Sequence, residues 1–107
     1  MVSSSTLRLV SIGKSPRPDK KLVAVFDISG KRRSVHFGAR GYGDYTIYHA
    51  KDRVIAREKR EHYIARHSKN GENWKDPTSP GALSRFILWE KPTVSASVAA
   101  FKKKFRL

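Results

Sequence analysis

The stretch LVAVFDISGKRRSVHF, Leu22–Phe37, decides the fold of this 107-residue chain. Leu22, Ala24, Phe26 and Ile28 recur at every second position, and Val35 and Phe37 resume that period after a break. A period of two is that of a strand with one face buried. Between the runs, Ser29-Gly30-Lys31 supplies turn chemistry, because Gly30 can take a positive φ at little cost. The segment reads as a β-hairpin whose tip carries Lys31, Arg32 and Arg33. Cations there have two uses: solvating a hairpin end so that its edge does not pair, or reaching a phosphate backbone.

Working outward toward the N-terminus, Leu7–Ile12 (LRLVSI) reads as a further strand. It is separated from the hairpin by GKSPRPDKK, whose two prolines cannot donate to a ladder. Residues 1–6 read as a flexible arm, and residues 7–107 as a single basic domain.

Toward the C-terminus the period changes. Asp52 to about His67 contains no Gly or Pro and reads as a helix with Asp52 at its N-cap. Arg53, Arg57 and Arg60 lie on it at i, i+4 and i+7 as a basic stripe, and Tyr63, Arg66 and His67 share a face. Glu58 and Glu61 interrupt that positive field, as they would on a salt-bridged, solvent-facing helix. Ser79 followed by Pro80 marks another helix start, leading into Leu83, Phe86, Ile87, Leu88 and Trp89. Thr93 caps a last helix, with Val94, Val98, Phe101 and Phe105 on one face and Lys102, Lys103, Lys104 and Arg106 crowding its end. The helix dipole accounts for one or two of those cations; a phosphate-facing tail would account for the rest. The expected architecture is α+β: a small antiparallel sheet, hairpin plus one strand, with two or three helices packed on one face. Phe26, Ile28, Phe37, Phe86, Leu88, Val98 and Phe101 are the expected inward set.

Between hairpin and helix lies HFGARGYGDYT, His36–Thr46. Gly38, Gly41 and Gly43 point to unusual dihedrals or to a close approach by another group. The spacing is neither the dinucleotide fingerprint nor a phosphate-binding P-loop. Arg40, Tyr42 and Tyr45 could pair with phosphate or stack on bases, although tyrosines in such a block more often plug the edge of a small core. Arg40, Tyr42, Asp44 and Tyr45 are expected to form one unit with the Glu72-Asn73-Trp74 loop.

Charge narrows the function class. The chain carries 23 Lys and Arg against 9 Asp and Glu, a formal +14 with a pI near 10.6. The surplus is +7 over residues 1–40, +2 over 41–79 and +5 over 80–107, so the two ends are basic and the middle nearly balanced. Fields of this kind speed encounters with polyanions and bind nucleic acid without reading its sequence. There is no cysteine, which removes disulfides, thiolate metal sites and thiol nucleophiles and fits a reducing compartment. No apolar run reaches the roughly 20 residues of a membrane span, and the N-terminus lacks a secretory pattern, so a soluble, intracellular protein is expected, not a secreted one.

Catalytic constellations are thin. The four histidines never fall at the i, i+4 spacing of a zincin, and no serine sits in a Gly-x-Ser-x-Gly elbow. Sets such as His67, Glu72 and Asp76, or Asp44 with His36, arise by chance in any small protein with four histidines and nine acids. No catalytic residue, metal or cofactor is expected.

HFGARGYGDYT, YIARH (Tyr63–His67) and ENWKDPTSPGALSRFILWEKP (Glu72–Pro92) together resemble a family of short uncharacterised proteins encoded by large DNA viruses of algae and protists. The resemblance runs from about Leu22 to the C-terminus and carries no catalytic residues with it. It implies a setting, a virus with a large double-stranded DNA genome, hence the virion or the host-cell interior, and no activity; the charge adds the expected partners, nucleic acid or acidic surfaces of virion proteins. The leading expectation is phosphate-backbone binding by Lys31, Arg32, Arg33, Arg40, Arg53, Arg57, Arg60, Lys102, Lys103, Lys104 and Arg106, with Tyr42 and Tyr45 as stacking candidates. The alternative is a minor capsid or internal-shell protein, and a metal-dependent nuclease ranks behind both.

Overall fold

A computed structural model describes residues 7–69 and 73–107, so the expected arm over residues 1–6 and Glu72 of the ENW loop lie outside the described residues. Strands β1 (Leu7–Lys14), β2 (Lys20–Ile28) and β3 (Lys31–Ala39) form an antiparallel sheet in sequence order. The hairpin is tighter than the sequence suggested. Ile28 pairs directly with Lys31, leaving only Ser29 and Gly30 in the loop, with φ of 53° and 89°. Positive φ at both central residues matches the right-handed twist of the flanking strands. The Asp27 carboxylate steadies the turn by accepting from the Gly30 N–H at 2.8 Å. In β1 the register slips between Leu9 and Ser11, a bulge that keeps Leu9 and Ile12 opposite Phe26 and Ala24 on the inner face.

Helices α1 (Tyr45–Lys51), α2 (Arg53–Ser68), α3 (Pro80–Leu83) and α4 (Val94–Phe105) follow, with a π-helical turn over Ser84–Leu88 continuing α3. The caps follow the side-chain chemistry. Asp52 ends α1 and starts α2, accepting from the N–H groups of Val54 and Ile55. Ser79 and Thr93 accept from Ala82 and Ala96. Helix α1 was not anticipated: it begins at Tyr45, in the last two residues of the glycine–aromatic block, and runs on to Lys51. The segment read as one apolar helix from Pro80 is a four-residue α turn that widens into the π turn.

The core lies between the inner face of the sheet (Leu9, Ala24, Phe26, Val35, Phe37) and Leu83, Ile87, Leu88 and Phe101 from the C-terminal elements. Helix α2 touches it through Ala56 and Tyr63, with Ile64 packed alongside, and most of its other side chains face water. Phe26, Phe37, Leu88 and Phe101 are buried as expected, whereas Ile28, Phe86 and Val98 are half-buried. The π turn is the reason for Phe86: its wider backbone directs Ile87 into the core and leaves Phe86 stacked edge-on against Trp74 and Phe105 at the periphery.

Candidate functional site

Two of the three glycines in the His36–Thr46 block have a defined task. Gly38 has φ +81°, and a Cβ there would sit 2.7 Å from Leu88 Cδ1. At Gly43 a Cβ would sit 2.5 Å from the Tyr48 ring. Glycine at these places lets β3 approach the π turn and lets the block close over Tyr48.

Around them the polar groups of the block are committed to the fold. The Arg40 guanidinium donates to the carbonyls of Ser15, Arg17 and Lys20, at 2.8–3.3 Å, and its own N–H donates to Asp19 O. It thereby pins the proline-containing β1–β2 connection. Asp44 is buried. One carboxylate oxygen accepts from Lys21 Nζ at 2.7 Å, and the other accepts from the Thr46 hydroxyl and the Ile47 N–H as the N-cap of α1. Tyr45 is buried with the Arg60 guanidinium 4.3 Å from its ring centroid, and Arg60 also donates to Glu90 O.

Three of the sequence candidates also have structural tasks: Arg40 and Arg60 donate to backbone carbonyls, Arg40 while remaining exposed, and Tyr45 is buried beneath Arg60. Tyr42 is the opposite, 73 % exposed. Of the ENW loop expected to join this block, Glu72 lies outside the described residues. The described contacts of Asp44 and Tyr45 go to β2 and α2, while the ring of Trp74 meets Phe86 and the Arg85 guanidinium.

The remaining basic candidates are exposed: Lys31, Arg32 and Arg33 on the hairpin, Arg53 and Arg57 on α2, and Lys102, Lys103, Lys104 and Arg106 at the end of α4. Among the described residues, the ion pairs are Arg17–Asp19, Lys21–Asp44 and Arg85–Glu90, and none involves these nine side chains. The acids are largely spent internally, Asp27, Asp44, Asp52 and Asp76 all accepting from the chain's own N–H groups. Two basic clusters converge. Arg33 lies close enough to help hold the Asp76 carboxyl below its ordinary value, behind the larger effect of hydrogen bonds from the Thr78 hydroxyl and N–H. Two residues before Asp76, Trp74 lines a shallow depression with Phe86 and Lys104, and Lys104 Nζ sits 4.9 Å from the Phe86 ring centroid. The hairpin and the tail of α4 thus flank one loop. Arg53 and Arg57 stand apart on α2.

A second feature escaped the sequence reading. A cavity of about 600 Å³ opens between the β2–β3 end, α1, α2 and the π turn. Its floor is a ladder of rings: His67 lies 4.1 Å from Tyr63, and Tyr63 stacks on Trp89 at 4.6 Å and 12°. Tyr48 adjoins Trp89 at 6.2 Å, and Tyr42 borders the cavity. Lys20, Lys59, His62 and Arg66 extend the wall, and among the described lining residues the carboxylate is that of Asp44, paired with Lys21. The shared face of Tyr63, Arg66 and His67 was the available signal.

The match to a known family covers residues 10–67, from β1 through nearly all of α2. The chain belongs to DUF5754, a family of unknown function. The DUF5754 portion supplies the sheet, the glycine–aromatic block and the α2 wall of the cavity, while Trp89 and the basic tail lie beyond it. No curated protein and no solved structure matches the chain. Among the described residues no cluster of three metal-ligating side chains forms, and no helix is long and apolar enough to cross a membrane. His36 Nδ1 is hydrogen-bonded with Ser15 Oγ at 2.7 Å, so His36 and Asp44 are each engaged elsewhere.

Proposed function

We propose that this protein is a non-enzymatic basic module that binds double-stranded nucleic acid through its phosphates, without marked sequence preference. The observation that carries the reading is the division of charge. Asp27, Asp44, Asp52 and Asp76 are engaged as caps and turn acceptors. Although Glu58 and Glu61 stay exposed on α2, Lys31, Arg32, Arg53, Arg57, Lys102 and Lys103 stand exposed without an ion-pair partner among the described residues. Unpaired cations on a chain of net charge +14 release counterions when they meet a polyanion, which is the main source of sequence-independent affinity. Arg33 acts on Asp76 and Lys104 lies with Trp74 two residues earlier, which supports our taking the hairpin and the α4 tail as one contact surface. Arg40, Arg60 and Tyr45 have no part in it. On the resemblance of its motifs we set this activity in a large DNA virus, on its genome inside the host cell or the particle. An acidic virion surface is the second partner we retain, because the same cations would complement it.

A salt titration of binding to two unrelated duplexes tests the reading. Log affinity should fall with log salt at a slope of about −0.9 per phosphate contact. Replacing Lys102, Lys103 and Lys104 with Gln together should flatten the slope by up to about three contacts' worth, and replacing Arg32 and Arg33 by up to about two. Both variants should unfold within about 0.5 kcal/mol of the parent, as expected of surface positions. No binding to either duplex at about 50 mM salt would overturn the nucleic-acid reading and leave the acidic virion surface in front.

A further inference from the structure

We propose that the cavity between the β2–β3 end and α2 is a binding site for a single unpaired nucleoside phosphate, held by its base and by its phosphate at once. The inference rests on the polyanion reading and adds a ligand to it.

Three observations carry it. The cavity, about 600 Å³, falls within the roughly 300–1,000 Å³ typical of small-ligand pockets. Its apolar surface is mostly aromatic: Tyr48, Tyr63 and Trp89 form the inner wall, and Tyr42, a large ring 73 % exposed, stands at the border. Tyr63 is already stacked between His67 and Trp89, so a base would lie on the exposed Tyr42 ring and against the edges of the others, without hydrogen-bond readout. The third observation is charge. Lys59, His62 and Arg66 project from successive turns of α2 along one side, and all three are exposed. Among the described lining residues the carboxylate is that of Asp44, neutralised at 2.7 Å by Lys21. A ligand entering the cavity therefore meets rings beneath and a cationic rim above. An anion with a planar aromatic body fits both, and a bare anion leaves the rings unused.

The backbone supports a built site. Gly43 permits the block to close against Tyr48, and the π turn delivers Leu88 and Trp89 to the inner wall. Turns of this class recur at functional sites because they re-aim side chains within a helix. A duplex end or a distorted step would present such a nucleotide while the surface cations hold the flanking phosphates.

The test follows the two indole N–H resonances, since Trp89 lines the cavity and Trp74 lies in the separate depression beside Lys104. Trp74→Phe assigns them. Adenosine 5′-monophosphate, inorganic phosphate, a single-stranded hexadeoxyadenylate and a hexaglutamate peptide are titrated against the full chain. Adenosine monophosphate should move the Trp89 resonance and spare Trp74, with inorganic phosphate at least about tenfold weaker because it forfeits the stacking contribution. If the natural source is a strand, the hexadeoxyadenylate binds more tightly than the mononucleotide; if it is a free nucleotide, the two bind alike. Lys59→Gln with Arg66→Gln should weaken adenosine monophosphate by about tenfold. The triple Gln variant at Lys102, Lys103 and Lys104 should leave that affinity unchanged. An unmoved Trp89 at about 10 mM nucleotide, affinity equal to that of hexaglutamate, or indifference to the Lys59/Arg66 pair would overturn the proposal. The duplex salt titration reads the broader function separately, so either can fail while the other stands.

Discussion

The glycine–aromatic block and the α4 tail are both rich in charge and use it in opposite ways. In the block, cations are construction material: Arg40 spends its donors on three carbonyls of the β1–β2 connection, and Lys21 spends its charge on buried Asp44. In the tail, Lys102 and Lys103 face water with no acid against them, and Arg106 ends the helix in the left-handed conformation, its N–H donating to Lys102 O. Two regions that look equally basic in sequence thus differ in what removal of a cation should do. Truncation in the block should cost stability and leave salt dependence alone; truncation in the tail should do the reverse.

Asp44 gives the sharpest break. Its carboxylate caps α1, binds the Thr46 hydroxyl and pairs with Lys21, whose side chain is only 17 % exposed. Removing one partner of a buried pair costs roughly 3–5 kcal/mol when the other is stranded. Lys21 retains some access to water, so Asp44→Ala should cost about 2–3 kcal/mol in chemical denaturation. A loss below about 0.5 kcal/mol would mean that the block is held by its rings and glycines instead.

Arg40 separates geometry from charge. Its planar fork reaches three carbonyl groups, which a lysine ammonium cannot span in the same way. Arg40→Lys should therefore destabilise nearly as much as Arg40→Ala, about 1–2 kcal/mol, while neither changes the salt slope of duplex binding beyond experimental scatter. If Arg40→Lys were silent in stability and Arg40→Ala flattened the slope, Arg40 would belong with the tail.

The same contrast explains what the sequence made legible. The hairpin and α4 could be read because their signals are local: alternation about Gly30, and a Thr93 cap ahead of an i, i+4, i+7 face. The roles of Arg40 and Arg60 could not, because their acceptors are carbonyls of Ser15, Arg17, Lys20 and Glu90, groups that every residue carries. Helix α1 was hidden by the glycines just before it, since its seven residues are held by the Asp44 cap and the packing of Tyr45, not by a periodic face of their own. The cavity was half legible. Tyr63, Arg66 and His67 share a helical face, but the glycines that admit Tyr48 and the π turn that supplies Trp89 depend on contacts across the fold.

The Asp76 loop, where hairpin and tail meet, offers the smallest expected effect and the finest test. The Thr78 hydroxyl and N–H donate to one Asp76 oxygen at 2.7 and 2.9 Å and hold the carboxyl below its ordinary 3.8; Arg33 adds a weaker pull, and burial opposes both. A carboxyl depressed in the folded state stabilises the fold above its unfolded value and loses that contribution as pH falls through the lowered folded value. The denaturation midpoints of the parent and Asp76→Asn should therefore differ above about pH 4 and converge below it, because every other carboxylate is common to both proteins. Arg33→Gln should narrow the gap slightly, without closing it, since the Thr78 bonds remain. A gap that stays constant through the acid range would mean that Asp76 acts only as a neutral turn acceptor. A gap abolished by Arg33→Gln would make the hairpin cation the main partner of this loop, moving Arg33 from the phosphate-facing group to the structural one beside Arg40.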